Sequence, residues 1–315
     1  MLPYDPTYET ALGAVYLADS LEILSDLPEL SVNLVMTSPP FALQRKKEYG
    51  NVDAEAYVDW LLPFAEQIWR VLTLDGSFVI DLGGSWIKGL PTRSLYHYEV
   101  VIALTKQLGF HLAQEFFWYN TAKLPTPAEW VTVRRIRVKD AVNTVWWLSK
   151  TPYPKASNRK VLVEYSESMR DLLVNGYKAK LRPSGHDISN KFQRDNGGAI
   201  PSNLLQIANT ESNTEYQRLC KFHGLKPHPA RFPRALPEFF IRMLTDEGDL
   251  VVDPFGGSMV TGAACENLKR LWIGIDIVES YVEASKFRFG IGVGDATNTQ
   301  VGGARHAAAG APRSS

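Results

Sequence analysis

Apolar residues in this chain come in short runs that stop abruptly at polar, glycine or proline positions. Val32-Asn33-Leu34-Val35-Met36 predicts a buried strand ending at Thr37-Ser38-Pro39-Pro40-Phe41, because two prolines cannot continue a central ladder. Leu250-Val251-Val252 runs in the same way into Asp253-Pro254-Phe255-Gly256-Gly257-Ser258, and Leu271-Trp272-Ile273-Gly274-Ile275 into Asp276. The pattern predicts further strands near 14–18, 77–82, 111–119 and 142–149, and helices near 20–27, 54–72, 94–108, 236–246 and 279–289. Residues 261–268 are also compatible with a helix. Alternation of this kind implies an α/β fold with a mainly parallel sheet. In such sheets ligands bind outside the carboxyl ends of the strands, which is where the three abrupt stops fall.

At 315 residues and 45% hydrophobic content the chain supports one large domain plus a lobe. The stretch 151–225 is polar and broken by Pro152, Pro154, Pro183, Gly185, Gly197, Gly198 and Pro201. It separates residues 1–150 from 226–289, and the Gly- and Ala-rich segment 290–315 predicts a disordered tail. Cys220 and Cys265 are the two cysteines, too few for a disulfide scaffold and in keeping with a reducing compartment. No signal peptide is recognisable and no run reaches the ~20 apolar residues needed to span a bilayer. A soluble cytoplasmic protein without membrane partners is the expectation. The absence of C-x-x-C and H-E-x-x-H patterns argues against a metal.

The residues at the strand ends carry the chemistry. An amino group on an aromatic ring is a poor nucleophile, because its lone pair is delocalised. Acceptors such as the Ser38 hydroxyl and the Pro39 carbonyl would hold its two hydrogens and turn the lone pair towards an electrophile. Proline fixes φ and so aims the carbonyl, and Phe41 offers a face for a planar base. The glycines of 253–258 let a ligand approach the backbone. Asp276 ends the second strand of a βαβ unit, where a carboxylate typically takes ribose hydroxyls. A dinucleotide site is the alternative, but the spaced G-x-G-x-x-G fingerprint is missing.

Together S-P-P-F and D-P-F-G-G-S resemble the motifs of the amino-methylating DNA methyltransferases that use S-adenosylmethionine, in the circularly permuted order of the beta group. Leu17-Ala18-Asp19-Ser20-Leu21-Glu22, 138–147 and His228-Pro229-Ala230-Arg231-Phe232-Pro233 extend the match over roughly residues 13–289. Residues 42–51 and 182–188 look similar to the cytosine-N4 enzyme of a restriction–modification system that protects CAGCTG. The resemblance implies a Rossmann-like methyltransferase fold, with a seven-stranded sheet whose last pair contains one antiparallel strand. It also implies a target-recognition region inserted at 151–225. Ser38, Pro39, Pro40 and Phe41 fall on the catalytic motif, and Asp253, Phe255, Gly256, Gly257 and Ser258 on the cofactor loop. Asp276 would hold the ribose, Asp19 would lie near the adenine amino group, and His228 and Phe232 would line the methionine end. Asp19 also reads as a helix N-cap.

The implied substrate is double-stranded DNA, with the target base flipped into the site and the loop 42–52 closing over it. A companion restriction endonuclease without a stable complex is implied too, and a monomer suffices for one strand at a time. Serine at position 38 favours cytosine-N4 over adenine-N6, and both stay open. Carbon-5 methylation needs a thiolate nucleophile, and neither cysteine lies in a proline-cysteine turn. A catalytically silent nucleic-acid binding protein is the remaining alternative.

Zero formal net charge conceals an uneven distribution. Residues 1–40 hold six acids and no Lys or Arg, whereas 121–182 hold thirteen Lys or Arg against five acids. Such a field can present a basic face to phosphate. Arg45, Lys46 and Lys47, and Arg134, Arg135, Arg137 and Lys139, are candidates for DNA contact. Arg182, Ser184, His186, Lys191, Gln193 and Arg194 are candidates for reading base edges.

Overall fold

The structure is a computed structural model that describes residues 3–42, 52–176, 194–210 and 214–292. Its strands are β1 (Tyr8–Glu9), β2 (Gly13–Leu17), β3 (Val32–Thr37), β4 (Leu72–Leu82), β5 (His111–Tyr119), β6 (Val142–Ser149), β7 (Leu204–Gln206), β8 (Leu250–Asp253) and β9 (Leu271–Asp276). Its α-helices are α1 (Ser20–Asp26), α2 (Tyr57–Val71), α3 (Tyr96–Lys106), α4 (Glu167–Asn175), α5 (Glu215–Phe222), α6 (Ala235–Leu244), α7 (Val260–Leu268) and α8 (Glu279–Ser285). All these strands join one sheet in the order β1-β2-β9-β8-β3-β4-β6-β5-β7. The run from β2 to β4 is parallel, and β6 enters antiparallel between β4 and β5. The seven expected strands are there, and the short edge strands β1 and β7 bring the sheet among the described residues to nine.

Both faces of the central strands β3 and β8 are covered, which is why they read as nearly continuous apolar runs. Val35, Phe78, Ile80, Leu148 and Val252 pack on one side against Ile23, Leu61, Ile68 and Val100 of α1, α2 and α3. Their neighbours Leu34, Met36, Val79, Trp147 and Val251 pack on the other against Leu236, Phe240, Ala264 and Val282 of α6, α7 and α8. The alternation is the period of two that a pleated strand imposes.

Trp272 needs three small neighbours. A Cβ built on Gly13 or Gly262 would fall 2.2 or 2.4 Å from its indole, and one on Gly274 at 3.1 Å. Gly262→Ala is therefore expected to lower stability by about 1–3 kcal/mol in chemical denaturation, as overpacking of a filled core does. An unchanged midpoint would show that the indole has room to move.

The described ends of 151–225 build into the main body. Ser157 N–H donates to Met243 O at 2.8 Å, Lys160 bonds Thr245 O and Asp246, and β7 pairs with β5. Residues 177–193 and the tail from 293 lie outside the described residues. Cys220 and Cys265 are buried free thiols. Among the described residues no helix is long and apolar enough to cross a membrane, and no cluster of three or more His, Cys, Asp or Glu could hold a metal ion.

Candidate active site at the strand ends

A cavity of about 760 Å³ opens at the carboxyl ends of β3, β4, β8 and β9. It brings together Ser38, Pro39, Pro40 and Phe41 with Asp19, His228, Phe232, Phe255, Gly256, Gly257, Ser258 and Asp276. The two sequence segments meet because β3 and β8 are neighbours in the sheet.

Asp253 is not on the cavity wall. Its carboxylate, 4% exposed, accepts from the hydroxyls of Thr37 and Thr261, each at 2.6 Å, and from Phe255 N–H at 3.2 Å. Burial pushes its pKa up to about 6 against the pull of those three bonds. The sequence placed it among the cofactor contacts. In the structure its bonds tie the end of β3 to the loop and helix after β8.

On the β3 side the Ser38 hydroxyl donates to Asp81 Oδ2 at 3.1 Å, and Asn143 Nδ2 donates to Asp81 Oδ1 at 3.1 Å. Asp81 sits near the end of β4, is 1% exposed and contributes to the cavity lining. Burial raises its pKa to about 7, although the Asn143 and Ser38 bonds and the charge of Lys123 oppose the rise. With its hydrogen committed to Asp81, the Ser38 oxygen has lone pairs left to accept from a ligand. The turn is held firmly. Tyr57 donates to Pro40 O at 2.8 Å, and the Phe41 ring occupies the space where a Cβ on Gly83 would fall, 2.5 Å away.

On the β8 and β9 side, Gly257 adopts φ +52° and its N–H donates to Asp276 Oδ2 at 2.8 Å. Asp276 Oδ1 accepts from Val278 N–H at 2.8 Å, and burial raises its pKa. Each carboxylate oxygen offers two acceptor sites, so both can accept a further hydroxyl. The His228 imidazole lies 3.2 Å from where a Cβ on Gly257 would be, and it meets Tyr281 edge-on at 4.5 Å. Trp60, Phe64 and Phe255 form an aromatic wall with centroids 5.1 to 5.6 Å apart. Asp19 is the expected helix cap and also stands on the cavity wall. Its Oδ1 caps α1 by accepting from Leu21 N–H at 2.8 Å.

The outer rim is the segment 120–141 between β5 and β6, which contributes Asn120, Lys123, Thr126, Pro127, Asp140 and Ala141 to the cavity. Asp140 is paired with Arg93 and accepts from Trp86 Nε1 at 3.3 Å. Of the predicted DNA contacts on this segment, Arg134 pairs with Glu129 at 2.7 Å and lies over Trp130 at 5.2 Å. Arg137 donates to Pro91 O at 2.9 Å. Arg135, exposed at φ +56°, has no ion pair among the described residues, and Arg194 is exposed too. Arg45, Lys46, Lys47, Arg182, Ser184, His186, Lys191 and Gln193 lie outside the described residues, as do residues 43–51 of the expected closing loop.

Asp81, Asn143 and Trp60 line the site without having been singled out in the sequence. The signal for Asp81 was its position, an acid between Ile80 and Leu82 that interrupts the apolar run begun at Phe78.

Comparison with known proteins gives a consistent result. The family described as DNA methylase matches residues 32–287. The chain is 56% identical over 287 residues to the Type II methyltransferase M.PvuII of Proteus hauseri, covering 90% of this chain and 85% of that protein. It is 26% identical to the Type II methyltransferase M.HpaI of Haemophilus parainfluenzae, covering 86% of this chain and 72% of that one. A solved structure, the cytosine-N4-specific PvuII DNA methyltransferase, superimposes with a TM-score of 0.76 at 50% identity, covering 92% of this chain and 90% of the other.

Proposed function

The chain belongs to the DNA methylase family, and from that premise we propose that it moves a methyl group from S-adenosylmethionine to N4 of a cytosine flipped out of duplex DNA, as the modification enzyme of a restriction–modification system. The observation that carries the chemistry is the Ser38 hydroxyl bonded to a buried carboxylate, Asp81, on the wall of the cavity.

The cavity fits the cofactor. Asp276 keeps an acceptor site on each oxygen for a ribose diol, Gly256 and Gly257 present bare backbone, and the wall of Trp60, Phe64 and Phe255 suits a flat purine. When bound, S-adenosylmethionine supplies an electrophilic methyl on a sulfonium. Everything else falls to the chain. Phe41 stacks the base, while the Ser38 oxygen and the Pro39 carbonyl accept the two amino hydrogens and turn the nitrogen lone pair outward. As the N–CH3 bond forms and the S–CH3 bond breaks, the nitrogen becomes cationic and must lose a proton. That proton passes to Ser38 Oγ as the serine hydrogen moves to Asp81, which later releases it to water. Positioning of this kind can supply ~7–11 kcal/mol of a barrier.

Asp81 must be ionised to accept the proton. With its pKa near 7, kcat/KM is expected to fall about tenfold per pH unit on the acid side of neutrality. Removing the Asn143 bond, which lowers that pKa, is expected to move the limb of Asn143→Ala to higher pH. A profile flat from about pH 5.5 to 8 would remove Asp81 from the proton path.

Serine at position 38 and the cytosine-N4-specific relative set aside the adenine-N6 alternative, and the complete set of site residues argues against a silent scaffold. The target proposed is CAGCTG, read by 151–225 and by the basic residues of the rim. A monomer acting in the cytoplasm, with a companion endonuclease that forms no stable complex, completes the proposal. The test is transfer of labelled methyl to a CAGCTG duplex followed by nucleoside analysis. N4-methylcytosine is expected, and N6-methyladenine or an unlabelled product would overturn the reading.

A further inference from the structure

Segment 120–141 carries more than positive charge. Leu124, Val133, Ile136 and Val138 all face solvent on it, and Val138 is 86% exposed. Single exposed apolar side chains are ordinary, but four on one segment at the rim of a catalytic cavity are not scattered.

Nor is the segment loose. Ile136 and Arg137 N–H both donate to Trp130 O, Asp140 N–H donates to Thr126 O, and Asn120 N–H to Ala141 O. Val138 is held from both sides, because its neighbour Arg137 is tied to Pro91 O at 2.9 Å and its neighbour Lys139 to Lys123 O at 3.3 Å. Two residues further on, Asp140 lines the cavity and is clamped by Arg93 and Trp86. A valine is thus presented to solvent on a braced support beside the pocket.

We infer that Val138 enters the duplex at the target position and fills the space the flipped cytosine leaves, with Arg135 and its basic neighbours resting on the flanking phosphates. The inference rests on the base-flipping reading of the site. Charge decides the partner, since Arg134, Arg135, Arg137 and Lys139 surround the apolar side chains and match a polyanion. An apolar wedge between base steps replaces part of the stacking lost on extrusion and keeps the base from returning. A braced support matters, because a wedge that yields does no opening.

The experiment uses the full chain in single-turnover methylation of two CAGCTG duplexes, one matched and one with an abasic site opposite the target cytosine. Val138→Ser, at a solvent-facing position, leaves the fold intact. It is expected to slow transfer to the matched duplex by roughly tenfold or more and to restore it within about twofold on the abasic duplex, where extrusion costs little. Val138→Leu keeps the wild-type rate on both. Wild-type transfer to the matched duplex reports the substrate reading separately. A Val138→Ser rate equal to wild type on that duplex, or a defect that persists on the abasic one, overturns the wedge alone.

Discussion

Asp81→Asn is expected to bind S-adenosylmethionine as the wild type does and to transfer methyl groups roughly 10²- to 10⁴-fold more slowly. The substitution is nearly isosteric, so the loss is one of hydrogen-bond direction and basicity. Asn143 donates to Asp81 Oδ1, which fixes the asparagine carbonyl on that side and turns the new amide nitrogen towards Ser38. That nitrogen can only donate, so the Ser38 hydrogen swings into the cavity, where the amine also presents hydrogens. The serine then repels what it was placed to hold, and no base remains to take the proton.

Stability separates this from unfolding. The folded-state pKa of Asp81 is raised to about 7, so the folded protein holds a proton that the unfolded chain has released. Stability contributed by that proton is present at low pH and is lost as pH rises towards 7. Asparagine removes the charge, and above neutrality the variant should unfold no earlier than wild type. A transfer rate within about threefold of wild type would place the proton acceptor elsewhere.

The second large effect is expected at Asp276. Its carboxylate supports Gly257 N–H and Val278 N–H and faces the cavity where a ribose would lie. Hydrogen bonds to a charged group contribute about 1.5–3 kcal/mol each. Asp276→Ala should therefore raise the Kd for S-adenosylmethionine roughly 10²-fold in equilibrium dialysis, with kcat at saturating cofactor within about threefold of wild type. A Kd within about twofold of wild type would show that the ribose is held by other groups.

Much of this site could be read from the chain because it lies where strands stop. Prolines after Ser38 and glycines after Phe255 interrupt the apolar pattern sharply, and Asp276 ends its strand in the same manner. Asp81 has no such mark. It stands one residue inside β4, and its partner Asn143 is 62 positions away on β6, so the bond exists only through strand pairing. The same limit explains Asp253, whose position at a strand end suggested a ligand while its three donors lie around it in space. It explains Arg134 and Arg137 as well, whose charges are partly engaged by Glu129 and Pro91 O. Strands β1 and β7, of two and three residues, are too short to show a period, and α4 and α5 lie in a stretch whose polarity hides them.

The strand order has a consequence for how the molecule is made. β3, which delivers Ser38, lies between β4 and β8, and β8 begins about 210 residues after β3 ends. At the usual ~5–20 residues per second of synthesis, one edge of this buried strand waits roughly 10–40 s for its partner to leave the ribosome. During that interval the nascent chain exposes an unpaired, uncharged strand edge of the sort that seeds aggregation. Overproduction should therefore respond strongly to chaperones and to slower growth at low temperature. A half-finished chain carries the serine but no loop to hold a methyl donor, so activity waits until β8, β9 and the loops that follow them have been made.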